Sequence, residues 1–336
     1  MATALPPDFR PRYHELHRVG RPGWWRSLVG AVVLLLLVFV VVPAVAGLVA
    51  FGVLTATGST VDEATRILDV TSGVTPAGLA SLNIILGLAI PTSWLVVWLM
   101  HRLKPRWLSS VMPRIRWRFL LACLPISVVA LVASLVVAML VPSADVAGTS
   151  TAGSLNEFTT TTRDFLLVIA LLTPFQAAGE EYLFRGYLTQ AFGSMFANRR
   201  VSLVLAVLVP SLLFALAHGL GQSVPVFFDR FAFGVVAGIL VIRTGGLEAA
   251  IAMHVLNNFV AYGLALSFGD MTEALNASGP SSWWMIASTL AQSLTYLALA
   301  SWLAKAMHLV DSGPPVGRVL PPPPGHPELV GQPPRV

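Results

Sequence analysis

Charged residues are scarce in this chain. Asp, Glu, Lys and Arg make up 11% of its 336 residues, hydrophobic residues make up 55%, and the mean hydropathy is +0.75. A soluble globular domain usually carries about 25% charged residues, so the composition excludes an ordinary soluble domain. The sequence predicts an all-α, polytopic membrane helix bundle, and the length accommodates about eight spans of roughly 20 residues.

Other absences narrow the function. The one cysteine, Cys123, excludes an intramolecular disulfide. The net charge of +5 comes from basic residues that flank apolar runs, without interleaved stacking aromatics, so no nucleic-acid partner is predicted. The chain also lacks the His-Glu-x-x-His zinc motif, the Gly-x-Ser-x-Gly nucleophile elbow and a pair of aspartates within the membrane. Several known protease chemistries are therefore poorly supported.

Apolar runs divide the chain into three parts. The runs lie at about 27–54, 77–101, 118–142, 164–192, 201–220, 224–243, 246–268 and 283–306. We interpret the first run as an uncleaved span, because it is longer than the apolar region of a signal peptide. The predicted organisation is an Arg-rich segment (1–26), an eight-helix transmembrane domain (27–306) and a Pro-rich tail (307–336).

The loops differ in charge. Basic residues concentrate between the second and third runs (102–118) and follow the even-numbered runs at Arg199, Arg200, Arg243 and Lys305. Acidic residues mark the alternate loops at Asp62, Glu63, Asp69, Asp145, Glu157, Asp270 and Glu273. The positive-inside rule then predicts that both termini are cytoplasmic. The predicted location is a bacterial plasma membrane, because the Ala/Val-rich, Arg-rich composition resembles that of a high-GC bacterium.

The prolines of the tail predict an extended, disordered segment. The tail could bind a proline-reading partner, but a simple solvated tail explains the same composition.

Two adjacent glutamates interrupt the fourth apolar run. Ionisable groups within a bilayer cost at least ~2.5–3.5 kcal/mol, so they need a partner, a wet cavity or a function. Glu181 and Arg185 are four residues apart, in the favourable order for a helical ion pair. Glu180 projects about 100° away, toward the bundle interior. Taken alone, the motif fits either a structural ion network or a general base.

Two later runs carry imidazoles. His218 ends the fifth run and shares a helix face with Phe214, an aromatic that could wall a cavity. His254 and Asn258 share a face of the seventh run. They could join helices by hydrogen bonds, or donate together to an oxyanion. An acid, two imidazoles and a carboxamide suffice for amide hydrolysis by water.

Counted along their helices, these residues lie at different depths in the bilayer. A rise of 1.5 Å per residue places His218 about 25 Å, but His254 only about 15 Å, from the inner ends of their spans. A shared site requires a later start of the fifth span, a kink at Pro210, or strong tilt. Asp229 and Arg230 are further intramembrane charges, for which we favour a structural role over a lining or substrate-binding one.

The three motifs resemble a known family. Glu180-Glu181-x-x-x-Arg185, Phe214-x-x-x-His218 and His254-x-x-x-Asn258 match, in order, the motifs of the CAAX prenyl endopeptidase type II and bacteriocin-processing (CPBP) intramembrane proteases. The similarity covers about 164–262, which would be the protease core, and the family also has eight spans.

The resemblance implies roles for these residues. Glu180 would activate water with help from His218, His254 and Asn258 would stabilise the oxyanion, and Glu181 and Arg185 would support the site. Glu180, His218 and His254 are also candidate ligands of a divalent metal such as zinc, with a fourth position open. The substrate would be a membrane-associated protein or peptide in the lipid bilayer, and a prenylated CAAX protein is not favoured in a bacterium.

Two other functions stay open. The chain could be a non-catalytic membrane partner, or a bacteriocin-immunity-type protein, that retains the site. It could also be a transporter that uses the carboxylates as a proton relay, although no inverted repeat or pair of broken helices supports this.

Overall fold

The fold is described from a computed structural model of the chain. The described residues are 6, 8–140, 154–219, 221–276 and 282–315. Within these ranges the chain is helical, and β structure is limited to two isolated bridges, Arg12–Ser312 and Ser110–Gly246. The predicted all-α membrane bundle is confirmed. Asp145 and the part of the predicted disordered tail beyond Pro315 lie outside the described residues.

Long helices occupy the positions of the eight predicted spans. They are α1 (Trp24–Ala56), α3 (Pro76–His101), α4 (Trp117–Leu140), α5 (Thr160–Glu181), α6 (Arg199–Ala217), α7 (Val224–Thr244), α8 (Glu248–Phe268) and α10 (Trp284–Ala306). Six of them are long and apolar enough to cross a membrane, whereas α5 and α10 have the length but carry more polar residues. Short helices α2 (Val61–Leu68) and α9 (Met271–Asn276) lie in loops.

α5 is the helix that carries the adjacent glutamates. The Thr159 side chain caps its start by accepting a hydrogen bond from Thr162 N. Beyond Glu181 the helix continues as a π-helical segment (Tyr182–Leu188) and a last α-helical stretch (Thr189–Met195). The glutamates therefore lie within a continuous rod, directly before a π-helical segment, a feature that is frequent at functional sites.

Small residues let helices approach closely next to the glutamates and between α6 and α7. A Cβ atom on Gly179 would collide with the backbone oxygen of Leu86 on α3. A Cβ atom on Gly234 of α7 would lie 2.9 Å from Cβ of Ser211 on α6. Gly234 thus permits close packing between α6 and α7.

The N-terminal segment is docked on the bundle rather than freely solvated. A 3₁₀-helix (Tyr13–Val19) is largely buried there, and the Tyr13 hydroxyl donates to Leu108 O at 2.5 Å. Arg18 donates to Gly193 O at 3.0 Å, beyond the π-helical segment. The amide of Gly313 donates to Pro11 O at 2.8 Å, so the N-terminal segment also holds the chain beyond α10.

Candidate active site

Glu181 lies at the centre of a buried network of charged side chains. Its Oε1 atom lies 2.8 Å from Nη1 of Arg185, the ion pair that the i,i+4 spacing predicts. The same oxygen lies 2.8 Å from Nδ1 of His254 on α8. Because all three side chains are nearly inaccessible to solvent, the charges stabilise one another where water cannot.

Glu180 is the more accessible of the two carboxylates. Its side chain keeps 11% exposure, whereas that of Glu181 has none. Oε2 of Glu180 lies 3.2 Å from Nε2 of His254, so the imidazole lies between the adjacent carboxylates. The structure thus separates the two glutamates, one enclosed by ionic partners and one at the edge of the site.

Aromatic rings surround this network of charged side chains. The Arg185 guanidinium carbon lies 4.2 Å from the ring centre of Phe214 and 5.7 Å from that of Phe233, within cation–π range. The His254 ring lies 5.9 Å from Phe214 and 5.5 Å from Phe233. Phe233 on α7 was not predicted as a site residue, because no motif connects it to the others in sequence.

His218 caps the end of α6. Its Nδ1 atom lies 2.8 Å from the carbonyl oxygen of Phe214. A carbonyl only accepts, so this contact assigns the proton to Nδ1 and leaves Nε2 with a free lone pair. His218 is an exposed residue, and its ring lies 4.6 Å from that of Phe214, which also contacts His254. The tertiary structure therefore brings His218 to the site despite the mismatch of depths along separate spans.

Asn258 is joined to a residue that the sequence analysis missed. Its Nδ2 atom donates to Oε1 of Gln176 at 2.9 Å. Gln176 is 5% exposed and lies one turn before Glu180 on α5. The available sequence signal was a polar residue four positions before the glutamate, on the same helix face.

Arg230 is hydrogen-bonded to the turn that follows His218. Its Nη1 atom donates to Oε1 of Gln222 at 2.8 Å. The Gln222 amide nitrogen donates to the carbonyls of Ala215 and Gly219, at 2.6 and 2.9 Å. These hydrogen bonds connect α7 to the end of α6, while the neighbouring Asp229 interacts with Thr289 on α10.

A buried ion pair fixes the start of α8. Arg116 donates through its backbone amide, Nε and Nη2 to the Glu248 carboxylate at 2.6–2.9 Å. Its Nη1 atom donates to Thr244 O, at the end of α7. This bidentate contact positions the helix that carries His254 and Asn258. Sequence reasoning treated Arg116 only as a loop charge.

The predicted metal ligands do not fit a zinc site in this arrangement. Over the described residues, no group of three or more His, Cys, Asp or Glu side chains is placed to hold a metal ion. Both ring nitrogens of His254 already face carboxylates. We therefore derive no chemical step through a metal.

Comparison with known proteins supports the resemblance. Residues 162–260 match the family model described as Type II CAAX prenyl endopeptidase Rce1-like. The chain is 29% identical to uncharacterized protein YyaK of Bacillus subtilis over 159 residues, which is 45% of this chain and 53% of that protein. It is 33% identical to the membrane-embedded CAAX protease MroQ of Staphylococcus aureus over 95 residues, which is 28% of this chain and 36% of that protein.

An uncharacterized 24.3 kDa protein of Escherichia coli is 34% identical over 89 residues, which is 26% of this chain and 38% of that protein. The chain thus spans about a third to a half of the length of these curated relatives. No solved structure matches the chain. Residues 162–260, which contain all three motifs, are thus similar to Rce1-like type II CAAX prenyl endopeptidases.

Proposed function

We propose that this chain is an intramembrane endopeptidase of the CAAX type, which hydrolyses a peptide bond of a membrane-associated protein or peptide. The observation that carries the proposal is the position of His254 between two adjacent carboxylates of different exposure. The Rce1-like match over the same segment supports it. A structural ion network would not require an exposed histidine such as His218, whose ring packs on the same Phe214 that contacts His254.

In the proposed reaction, Glu180 acts as the general base. A water held between Glu180 and the free Nε2 atom of His218 gives its proton to the carboxylate and attacks the peptide carbonyl carbon. One C–O bond forms, and the carbonyl oxygen becomes the oxyanion. Glu180 then returns the proton to the departing nitrogen as the C–N bond breaks, so the enzyme ends in its starting state.

His254 and Asn258 stabilise the oxyanion in this scheme. Nδ1 of His254 donates to Glu181, whose own charge is balanced by Arg185, so a second proton on Nε2 gives an imidazolium held by both glutamates. The oxyanion would take the place of Glu180 as the partner of Nε2. Asn258 donates one of its amide hydrogens to Gln176 and keeps the other for the oxyanion. Preorganised donors of this kind typically contribute ~10²–10³-fold to kcat.

The topology is part of the proposal. Both termini are cytoplasmic in a bacterial plasma membrane, because the basic loops face the cytoplasm. The Pro-rich tail would then be available to a cytoplasmic partner.

The test is a matched pair of membrane proteomes, from cells with the wild-type protein and with Glu180→Ala, compared for changed protein termini. Termini that are lost in the variant would establish proteolysis and identify the substrate. Identical termini under several growth conditions would contradict the proposal. Rescue of a deletion phenotype by Glu180→Ala/His218→Ala would then support the non-catalytic membrane partner.

A further inference from the structure

We propose that Gln176 is a positioning residue that links the general base to the oxyanion hole. This inference rests on the proposed function and deepens it. Gln176 is buried one turn before Glu180, and its Oε1 atom accepts the Asn258 amide at 2.9 Å. Gln176 also shares a helix face with Glu180, four residues later on α5, so its NH₂ group is available to the Glu180 carboxylate. One carboxamide therefore stands between both halves of the proposed machinery.

The chemistry of the three groups fixes the direction of both contacts. An ionised carboxylate only accepts hydrogen bonds, so Gln176 presents its NH₂ group to Glu180. The Gln176 carbonyl oxygen then accepts a hydrogen bond from Asn258, so Asn258 donates through its own NH₂ group. The charge on Glu180 thus dictates, through Gln176, that Asn258 presents hydrogens rather than its oxygen to this side of the site.

This orientation matters because a flipped Asn258 would aim its carbonyl oxygen at a developing oxyanion. The Asn258 carbonyl oxygen would repel the oxyanion, whereas a preorganised Asn258 N–H group stabilises the oxyanion. An amide without a fixed partner can adopt both orientations. Gln176 removes that freedom without itself touching the reacting atoms, which makes it a positioning residue rather than a catalytic one.

The test uses the full chain in lipid nanodiscs with a library of internally quenched peptides. Peptides cleaved by wild type but not by Glu180→Ala serve as substrates. We expect Gln176→Met, which keeps the length of the side chain, to lower kcat by about 10- to 100-fold, approaching the effect of losing one oxyanion donor. KM should stay within twofold, because Gln176 does not contact the substrate. The double variant Gln176→Met/Asn258→Leu should be no slower than Asn258→Leu alone, because both changes remove one function.

Gln190→Met is the matched control. Gln190 is buried on the same helical rod, and its Nε2 atom donates to Trp107 O at 3.0 Å. This variant also loses a buried hydrogen bond but should retain the wild-type kcat. A kcat of Gln176→Met within twofold of wild type, or additive effects in the double variant, would overturn the inference while leaving the proposed function intact.

If wild type and Glu180→Ala are indistinguishable over the whole library, the proposed function fails, and the catalytic role of Gln176 fails with it. The interaction between Gln176 and Asn258 is then tested separately, by the melting temperatures of Gln176→Met, Asn258→Leu and the double variant. Non-additive losses support the bridge between Gln176 and Asn258, and additive losses overturn it.

Discussion

The Nδ1 atom of His254 lies 2.8 Å from Oε1 of Glu181, although 73 residues separate the two in the chain. This contact orients the ring so that its other nitrogen faces Glu180. Adjacent glutamates would repel one another in a low-dielectric interior. The His254 imidazole and the Arg185 guanidinium offset this repulsion, and they also give each carboxylate a different environment.

Glu180→Gln should abolish cleavage with little loss of stability. We expect kcat to fall by about 10²–10⁴-fold, the usual contribution of a general base. The melting temperature should stay near that of wild type, because removing one of two adjacent negative charges relieves repulsion. Cleavage of a peptide substrate and thermal unfolding of the same preparation provide the comparison. Retained cleavage would eliminate Glu180 as the base.

Glu181→Leu should primarily lower stability. It leaves the Arg185 guanidinium buried without a carboxylate partner, which typically costs about 3–5 kcal/mol. Glu181→Leu/Arg185→Met should recover part of the loss, because an apolar pair has no charge to desolvate. Denaturant unfolding of wild type, the single variant and the double variant measures the effect. A double variant less stable than the single one would show that Arg185 has another essential partner.

Glu248→Ala should destabilise the start of α8. Arg116, whose side chain is 8% exposed, would lose the carboxylate that accepts two hydrogen bonds from its guanidinium and one from its backbone amide, with an expected cost of about 3–5 kcal/mol. Asp164→Ala is the control, because its pair with Arg163 is largely exposed and should contribute about 0–1 kcal/mol. Equal losses of stability in the two variants would refute this account.

Chelation should leave activity unchanged if His254 works in the observed arrangement. Both ring nitrogens of His254 face carboxylates, so the imidazole has no nitrogen free for a metal. Cleavage after dialysis against a strong zinc chelator should match cleavage by untreated protein. Loss of activity that added Zn²⁺ restores would instead require His254 to turn away from one glutamate and join Glu180 and His218 as a ligand.

Docking of the N-terminal segment should weaken as the pH falls. Burial lowers the pKa of His14 from 6.5 to about 4, despite the opposing influence of Glu15. Neighbouring Arg12, Arg18 and Arg199 lower the pKa further, and burial likewise lowers the pKa of His17 in the same segment. The docked segment therefore binds fewer protons than the released one, so this contribution is complete above pH 6.5 and is lost between 6.5 and 4.

A spin label in this segment should become mobile over that pH range. His14→Gln should reduce the pH dependence, while substitution of the exposed His308 should not change it. Mobility that is independent of pH in the wild-type protein would contradict the prediction.

Local patterns in the sequence account for much of the architecture. Long apolar runs must form helices because lipid cannot satisfy backbone hydrogen bonds, and α1 to α10 include a long helix at every predicted run. The Glu181–Arg185 pair followed from helical spacing alone. The partners of Gln176, Phe233 and Arg116 did not, because contacts between helices depend on the rotation and depth of each helix, which periodicity leaves free.

The sequence by itself determined that this chain is a helical membrane protein with an acid, two imidazoles and a carboxamide distributed over three apolar helices. Composition and spacing suffice for that, because they act within single segments. Only the tertiary structure decided that His254 lies between Glu180 and Glu181, that His218 reaches the same aromatic cluster, and that Gln176 joins Asn258. These relationships depend on close helix packing at residues such as Gly179, where the absence of one side chain sets how near two helices can come.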